Sequence, residues 1–189
     1  LVCRLRNLQT LQGPALSTEV HYDVNPIAWL LGTWVGLGVV HFPGMDQSVQ
    51  AAHELTVVTD GQPFLTHLSR IWEVDDKGER IKQLTTETGI WKPLPELQVE
   101  LTIESQEISR VWVGEIKVTG LVDAKITRAH TIMNRVGLPI GEPHGVLAQD
   151  IRTYGLDPMG RLGWVHEVET AESPLSSQAS FLLMKAGQS

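Results

Sequence analysis

Three features of the 189-residue chain predict an all-β fold, a roughly ten-stranded antiparallel up-and-down barrel with a short helix near the amino terminus. From Thr33 onward, short runs rich in Val, Ile, Thr and aromatic residues alternate with turn signals. No apolar run keeps the spacing of a helix over several turns. Successive runs are joined tightly, which makes a meander, and a meander of about ten strands removes its edges by closing on itself.

The elements follow in order. Residues 1–24 read as a polar lead and 25–186 as one barrel domain. Asn25 as N-cap, Pro26 at the first helical position and Gly32 at the close bracket IAWLL as a brief helix. Strands are predicted at 33–42, 51–59, 64–74, 80–91, 97–104, 108–113, 115–123, 125–133, 147–156, 162–170 and 177–185, one more than the barrel needs. Asp60-Gly61, Asp75-Asp76-Lys77-Gly78 and Asp157-Pro158-Met159-Gly160 are the sharpest hairpin turns. The proline- and glycine-rich segment 136–146 reads as a long loop. In GTWVGLG, Gly32, Trp34, Gly36 and Gly38 share one face, so this strand either bends sharply or is approached closely by another backbone.

Composition narrows the function. A formal net charge of -7 argues against a nucleic-acid groove, which needs clustered Lys and Arg. No stretch reaches the roughly 20 apolar residues of a membrane span. The opening LVCRLRNLQ is too short and too broken by Arg for the apolar region of a signal peptide. Cys3 is the single cysteine and cannot form an internal disulfide, which points to a reducing, cytoplasmic compartment.

Candidate chemistry is sparse. His53-Glu54 lacks a second histidine at helical zinc spacing, and the chain has no G-x-S-x-G elbow, phosphate loop or dinucleotide fingerprint. Glu87, Glu100, Glu104 and Asp123 would make a general acid and base pair only if two faced the lumen; solvated strand ends are the expectation. In FLTHLSRIW one face carries Phe64, Thr66, Leu68, Arg70 and Trp72, the other Leu65, His67, Ser69 and Ile71; both are mixed, as in a barrel enclosing a partly polar cavity. Arg70 is a candidate inward cation for a carboxylate.

With these elements in place, the chain resembles the nitrobindin family, the fatty-acid-binding-protein-like barrels of the wider lipocalin (calycin) superfamily. The resemblance rests on the G-x-W-x-G-x-G of Gly32, Trp34, Gly36 and Gly38, followed by His41-Phe42-Pro43, Gly61-Gln62-Pro63-Phe64-Leu65, Glu87-Thr88-Gly89, Val113-Gly114-Glu115 and Ser173-Pro174-Leu175. It implies that the Trp34 ring plugs one barrel end while the glycines let the strand curve around it.

The resemblance also implies b-type heme, nitric oxide binding and peroxynitrite isomerisation, through a histidine four residues after the proline of a Pro-Leu or Pro-Met pair. In PLSSQASFLL that position holds Gln178, whose neutral amide is a poor iron donor. Gly44 stands where the family has a threonine after its aromatic-Pro pair, and Lys125 matches its pocket lysine. The expectation is therefore a barrel without heme, or any metal, that binds a small or lipophilic molecule with Arg70, Lys125 and Gln178 as cavity polar groups. His166, one strand before Gln178, is the fallback metal ligand. Heme enzymology through a substitute ligand and a ligand-free scaffold are the alternatives. No nucleic-acid or membrane partner is expected, and a homodimer is left open.

Overall fold

The computed structural model describes residues 19–42, 44–105, 108–123, 125–140 and 147–187. A 3-10 helix, Tyr22–Leu30, leads into ten strands. These are β1 (Gly32–Val40), β2 (Val49–Val58), β3 (Leu65–Val74), β4 (Arg80–Leu94), β5 (Gln98–Ser105), β6 (Ile108–Val122), β7 (Lys125–Ile140), β8 (Leu147–Leu156), β9 (Leu162–Thr170) and β10 (Ser176–Lys185). Each strand pairs antiparallel with the next, and β10 pairs with β1 in the register Trp34↔Lys185, so the barrel is closed. No helix among the described residues is long and apolar enough to cross a membrane.

The helix starts earlier than the sequence suggests. His21 is its N-cap, accepting from the Asp23 amide, and Pro26 lies inside it rather than at its first position. The fixed backbone angle of Pro26 falls within the range of a 3-10 helix, and its missing N–H removes one bond of the ladder. Val24, Ile27 and Leu30 are fully buried against the barrel end. Burial of each such side chain contributes roughly 1.5–3 kcal/mol.

The three hairpin turns form where their Asp and Gly residues place them. Gly61, Gly78 and Gly160 take positive φ of 87°, 80° and 75°. Asp75 Oδ1 accepts from the amides of Lys77 and Glu79, and Asp157 Oδ1 from those of Met159 and Arg161.

Two strand boundaries need correction. The runs 108–113 and 115–123 are one strand, β6; Gly114 does not break it. A Cβ there would lie 2.2 Å from the Ile132 carbonyl oxygen, so glycine is required by the close passage of β7. Residues 136–140 of the expected loop belong to β7, and 141–146 lie outside the described residues, as do the lead through residue 18 and Pro43.

The glycines of β1 have the same cause. A Cβ on Gly36 would meet the Leu182 carbonyl oxygen at 2.2 Å, and one on Gly38 the Ser180 oxygen at 2.0 Å. Trp34 is buried with its indole Nε1 donating to the Leu30 carbonyl at 2.7 Å, fastening the helix to the barrel end it plugs.

Candidate functional site

Alternation along each strand sends every second side chain into the lumen. Near the helix these are aliphatic or indole groups: Trp34, Leu55, Val57, Leu65, Val99 and Leu162 are buried. Farther along the axis the lumen turns polar, with His53, His67, Ser69, Thr131, Asp150, Arg152 and His166 all buried.

The centre of this layer is an ion pair that crosses the barrel. Arg152 on β8 donates through Nη1 and Nη2 to Glu87 on β4, at 2.9 and 2.8 Å. Planar guanidinium and carboxylate fit two parallel hydrogen bonds, the strongest ion-pair geometry available to side chains. The guanidinium carbon also lies 4.4 Å from the centre of the Trp112 ring. Burial alone would raise the Glu87 carboxyl, but the Arg152 charge and its hydrogen bonds hold it down at about 2. The Tyr154 hydroxyl is pushed by burial up to about 12.

A second group forms around Asp150. Its Oδ1 accepts from Trp112 Nε1 and faces His166 Nε2, both at 2.9 Å, while Oδ2 lies 3.8 Å from Arg135 Nη1. Burial opposes the Asp150 charge, yet these partners keep its carboxyl below the ordinary range. Burial likewise lowers His166 despite the facing carboxylate.

The other two lumen histidines are neutral. His53 Nε2 meets Ser69 Oγ at 2.9 Å, and its ring lies 4.8 Å from Phe181 and 5.0 Å from Trp164. His67 Nδ1 accepts from Trp91 Nε1 at 3.1 Å, which leaves the proton of the neutral ring on Nε2. Burial drives His53 down to about 3 and His67 to about 4. His53 Nδ1, His67 Nε2, Thr131 Oγ1 and Arg152 Nε are covered and have no hydrogen-bond partner in the protein. Such groups mark where ordered water or a polar ligand atom completes a site.

The sequence candidates are distributed unevenly. Arg70 is not inward: it sits on the outer face of β3, 42 % exposed, with its Nη1 3.6 Å from Glu54. Arg152 is a buried inward cation, whereas β3 turns Leu65, His67, Ser69 and Ile71 to the lumen. Lys125 opens β7 at the helix end and lines a surface pocket there, away from the polar layer. Glu87 is a lumen carboxylate, contrary to the expectation of a solvated strand end, while Glu104 is exposed.

Gln178 stands at a register shift of β10 between Ser177 and Ala179. Its backbone carbonyl accepts from the His41 amide at 2.8 Å. The side-chain nitrogen reaches Ser176 Oγ at 3.5 Å, and the side-chain oxygen is covered and unpartnered. His166 does face the lumen, paired with Asp150. Among the described residues no three His, Cys, Asp or Glu side chains gather as a metal site.

Sequence reasoning missed Asp150, Arg152, Trp91 and Trp112. The only local signal was the alternation in DIRTY, which puts Asp150, Arg152 and Tyr154 on one face.

A closed ten-stranded meander with a plugged end and a polar lumen defines a ligand-binding β-barrel. Residues 23–185 match the family described as "THAP4-like, heme-binding beta-barrel domain", and the chain belongs to that family, the nitrobindins. It is 29% identical over 171 residues, 90% of this chain and 84% of the relative, to a "Ferric nitrobindin-like protein" of Streptomyces avermitilis. It is 36% identical over 102 residues to a "Ferric nitrobindin-like protein" of Streptomyces griseus, covering 53% of each chain. It is 38% identical over 101 residues to a "Peroxynitrite isomerase" of Nocardioides sp., covering 53% of this chain and 61% of that one. Those last two matches thus span little more than half the length of the relatives. The crystal structure of Rv2717c from M. tuberculosis shares the fold, with a TM-score of 0.72 at 22% identity over 88% of this chain and 99% of that one.

Proposed function

We propose that this barrel binds a small ligand over its polar layer without holding heme iron through β10. The observation that carries the reading is Gln178: an amide with its nitrogen toward Ser176 and its oxygen covered, at the place where the family resemblance expects an imidazole. An amide oxygen is neutral and weakly donating, so the residue at this position does not fit an axial iron ligand. The unpartnered polar atoms of His53, His67 and Thr131 supply hydrogen-bond capacity for a ligand or its ordered water.

A second reading is favoured by one contact. His166 presents Nε2 to Asp150 at 2.9 Å, the carboxylate-backed arrangement that orients metal-ligating histidines, and Nδ1 would be the donor left for iron. With heme held there, the peroxynitrite isomerase activity for which the Nocardioides relative is named would extend to this chain.

Titration with hemin, followed by absorbance in the Soret region, separates the two. Under the first reading wild-type protein gives no saturable band, and Gln178→His acquires a stoichiometric one. Saturable binding by wild type that disappears in His166→Ala overturns it in favour of the second.

A further inference from the structure

The barrel carries a second concave site at the opposite end from Gln178. A pocket of about 760 Å³ lies between the helix and the turns joining β4 to β5 and β6 to β7, within the usual size range of small-molecule sites. Trp29 and Trp34 form part of its wall, and Leu97 and Leu121 are 52 % and 63 % exposed beside them.

Tight turns between strands shape this wall. The three non-glycine residues with positive φ among those described are Glu96, Leu97 and Asp123, at 60°, 56° and 47°. Leu97 and Asp123 both line the pocket. Positive φ at both central residues is what a tight hairpin turn of the I′ kind requires, so the Pro95–Gln98 turn, closed by the Gln98 amide donating to the Pro95 carbonyl at 3.3 Å, holds Leu97 on the wall.

The charge of the wall selects the ligand. Lys125 and Lys185 line it against a single carboxylate, Asp123. Lys185 is seated in advance: its Nζ lies 5.4 Å from the centre of the Trp34 ring. Its stem crosses Gly32, where a Cβ would meet Lys185 Cε at 2.5 Å. Gly32 thus leaves the space that the lysine occupies. No carboxylate among the described residues forms an ion pair with either lysine.

We propose that this pocket binds an organic anion with an apolar body, such as a medium-chain or aromatic carboxylate, with its chain against Trp29 and Leu97 and its carboxylate between Lys125 and Lys185. The site is separate from the polar lumen and stands whether or not heme binds there.

The test uses decanoate, below its micellar concentration, titrated into the full ¹⁵N-labelled chain while the indole N–H signals of its six tryptophans are followed. The expected result is saturable one-to-one binding that shifts the Trp29 and Trp34 signals and leaves Trp112 and Trp164 in place. Lys125→Met with Lys185→Met should raise Kd at least tenfold, and decanol should bind at least tenfold more weakly than decanoate. Leu97→Gly relieves the backbone, so weaker binding by this variant is not a folding defect. Absence of saturable shifts, shifts confined to Trp112 and Trp164, or undiminished binding by the double-lysine variant would overturn the proposal.

Discussion

The helix end of the lumen and its polar layer are both largely shielded from water but held in different ways. Around Trp34, Ile27 and Leu30 the contacts are dispersive and numerous, so each side chain contributes by itself. Around Glu87, Arg152 and Asp150 each charge depends on a named partner. Apolar packing fails by degrees. A buried ionic layer fails when one member is lost, because the survivor is left charged in a dry interior.

Arg152→Met should break this comparison most severely. It strands the Glu87 carboxylate and should cost about 3–5 kcal/mol by urea denaturation. Adding Glu87→Leu should restore much of that loss, because both charges are then gone. A double variant no more stable than the single one would show that the pair is not the unit.

Acidification attacks the same layer next. His53 and His67 titrate near 3 and 4 in the fold against an ordinary value of 6.5, so the unfolded chain binds more protons throughout that interval. Their contribution to stability is complete above about pH 6.5 and declines as pH falls toward the folded values. Stability plotted against pH should rise over about pH 4–6 with a slope that approaches two protons near pH 5, and His67→Gln should lower that slope by about one. Glu87, held at about 2, adds its own loss at lower pH as its unfolded counterpart takes up a proton.

Leu30→Ala tests the apolar end. Loss of a fully buried leucine should cost about 2–4 kcal/mol, with no change in the pH slope. Arg70→Ala should have the smallest effect, under about 1 kcal/mol, since its partner Glu54 is an exposed-face contact. A larger loss at Arg70 than at Arg152 would invert the assignment of faces on β3 and β8.

These contrasts also explain how far the fold and site were legible in the sequence. The Asp75 and Asp157 turns were readable because an Asp side chain bonds amides two and four residues ahead, within the same stretch. Gly114 was misread as a break because its cause, the carbonyl of Ile132, arrives from another strand. Alternation sorted β3 into two faces, both mixed in polarity, and so did not tell which one looks inward. In β8 the usual preference for charged residues outside points the wrong way, since Asp150 and Arg152 are inside. Their partners Trp112, His166 and Glu87 lie on three other strands. A network whose members satisfy one another only across the lumen leaves no local pattern, so Arg70 and Arg152 cannot be told apart by their neighbours in the chain.

The pairing of β1 with β10 also sets an order of events. Bringing Trp34 beside Lys185 closes a loop of roughly 150 residues, an entropic cost that the local hairpins do not meet. The hairpins from β2 through β9 can zip one after another, whereas the seam must wait until the sheet has curled far enough to offer both edges. Gly36 and Gly38 lie on that seam, where even a methyl group would strike the incoming backbone. The glycines that close the family's sequence signature are therefore those met by the last strand to arrive.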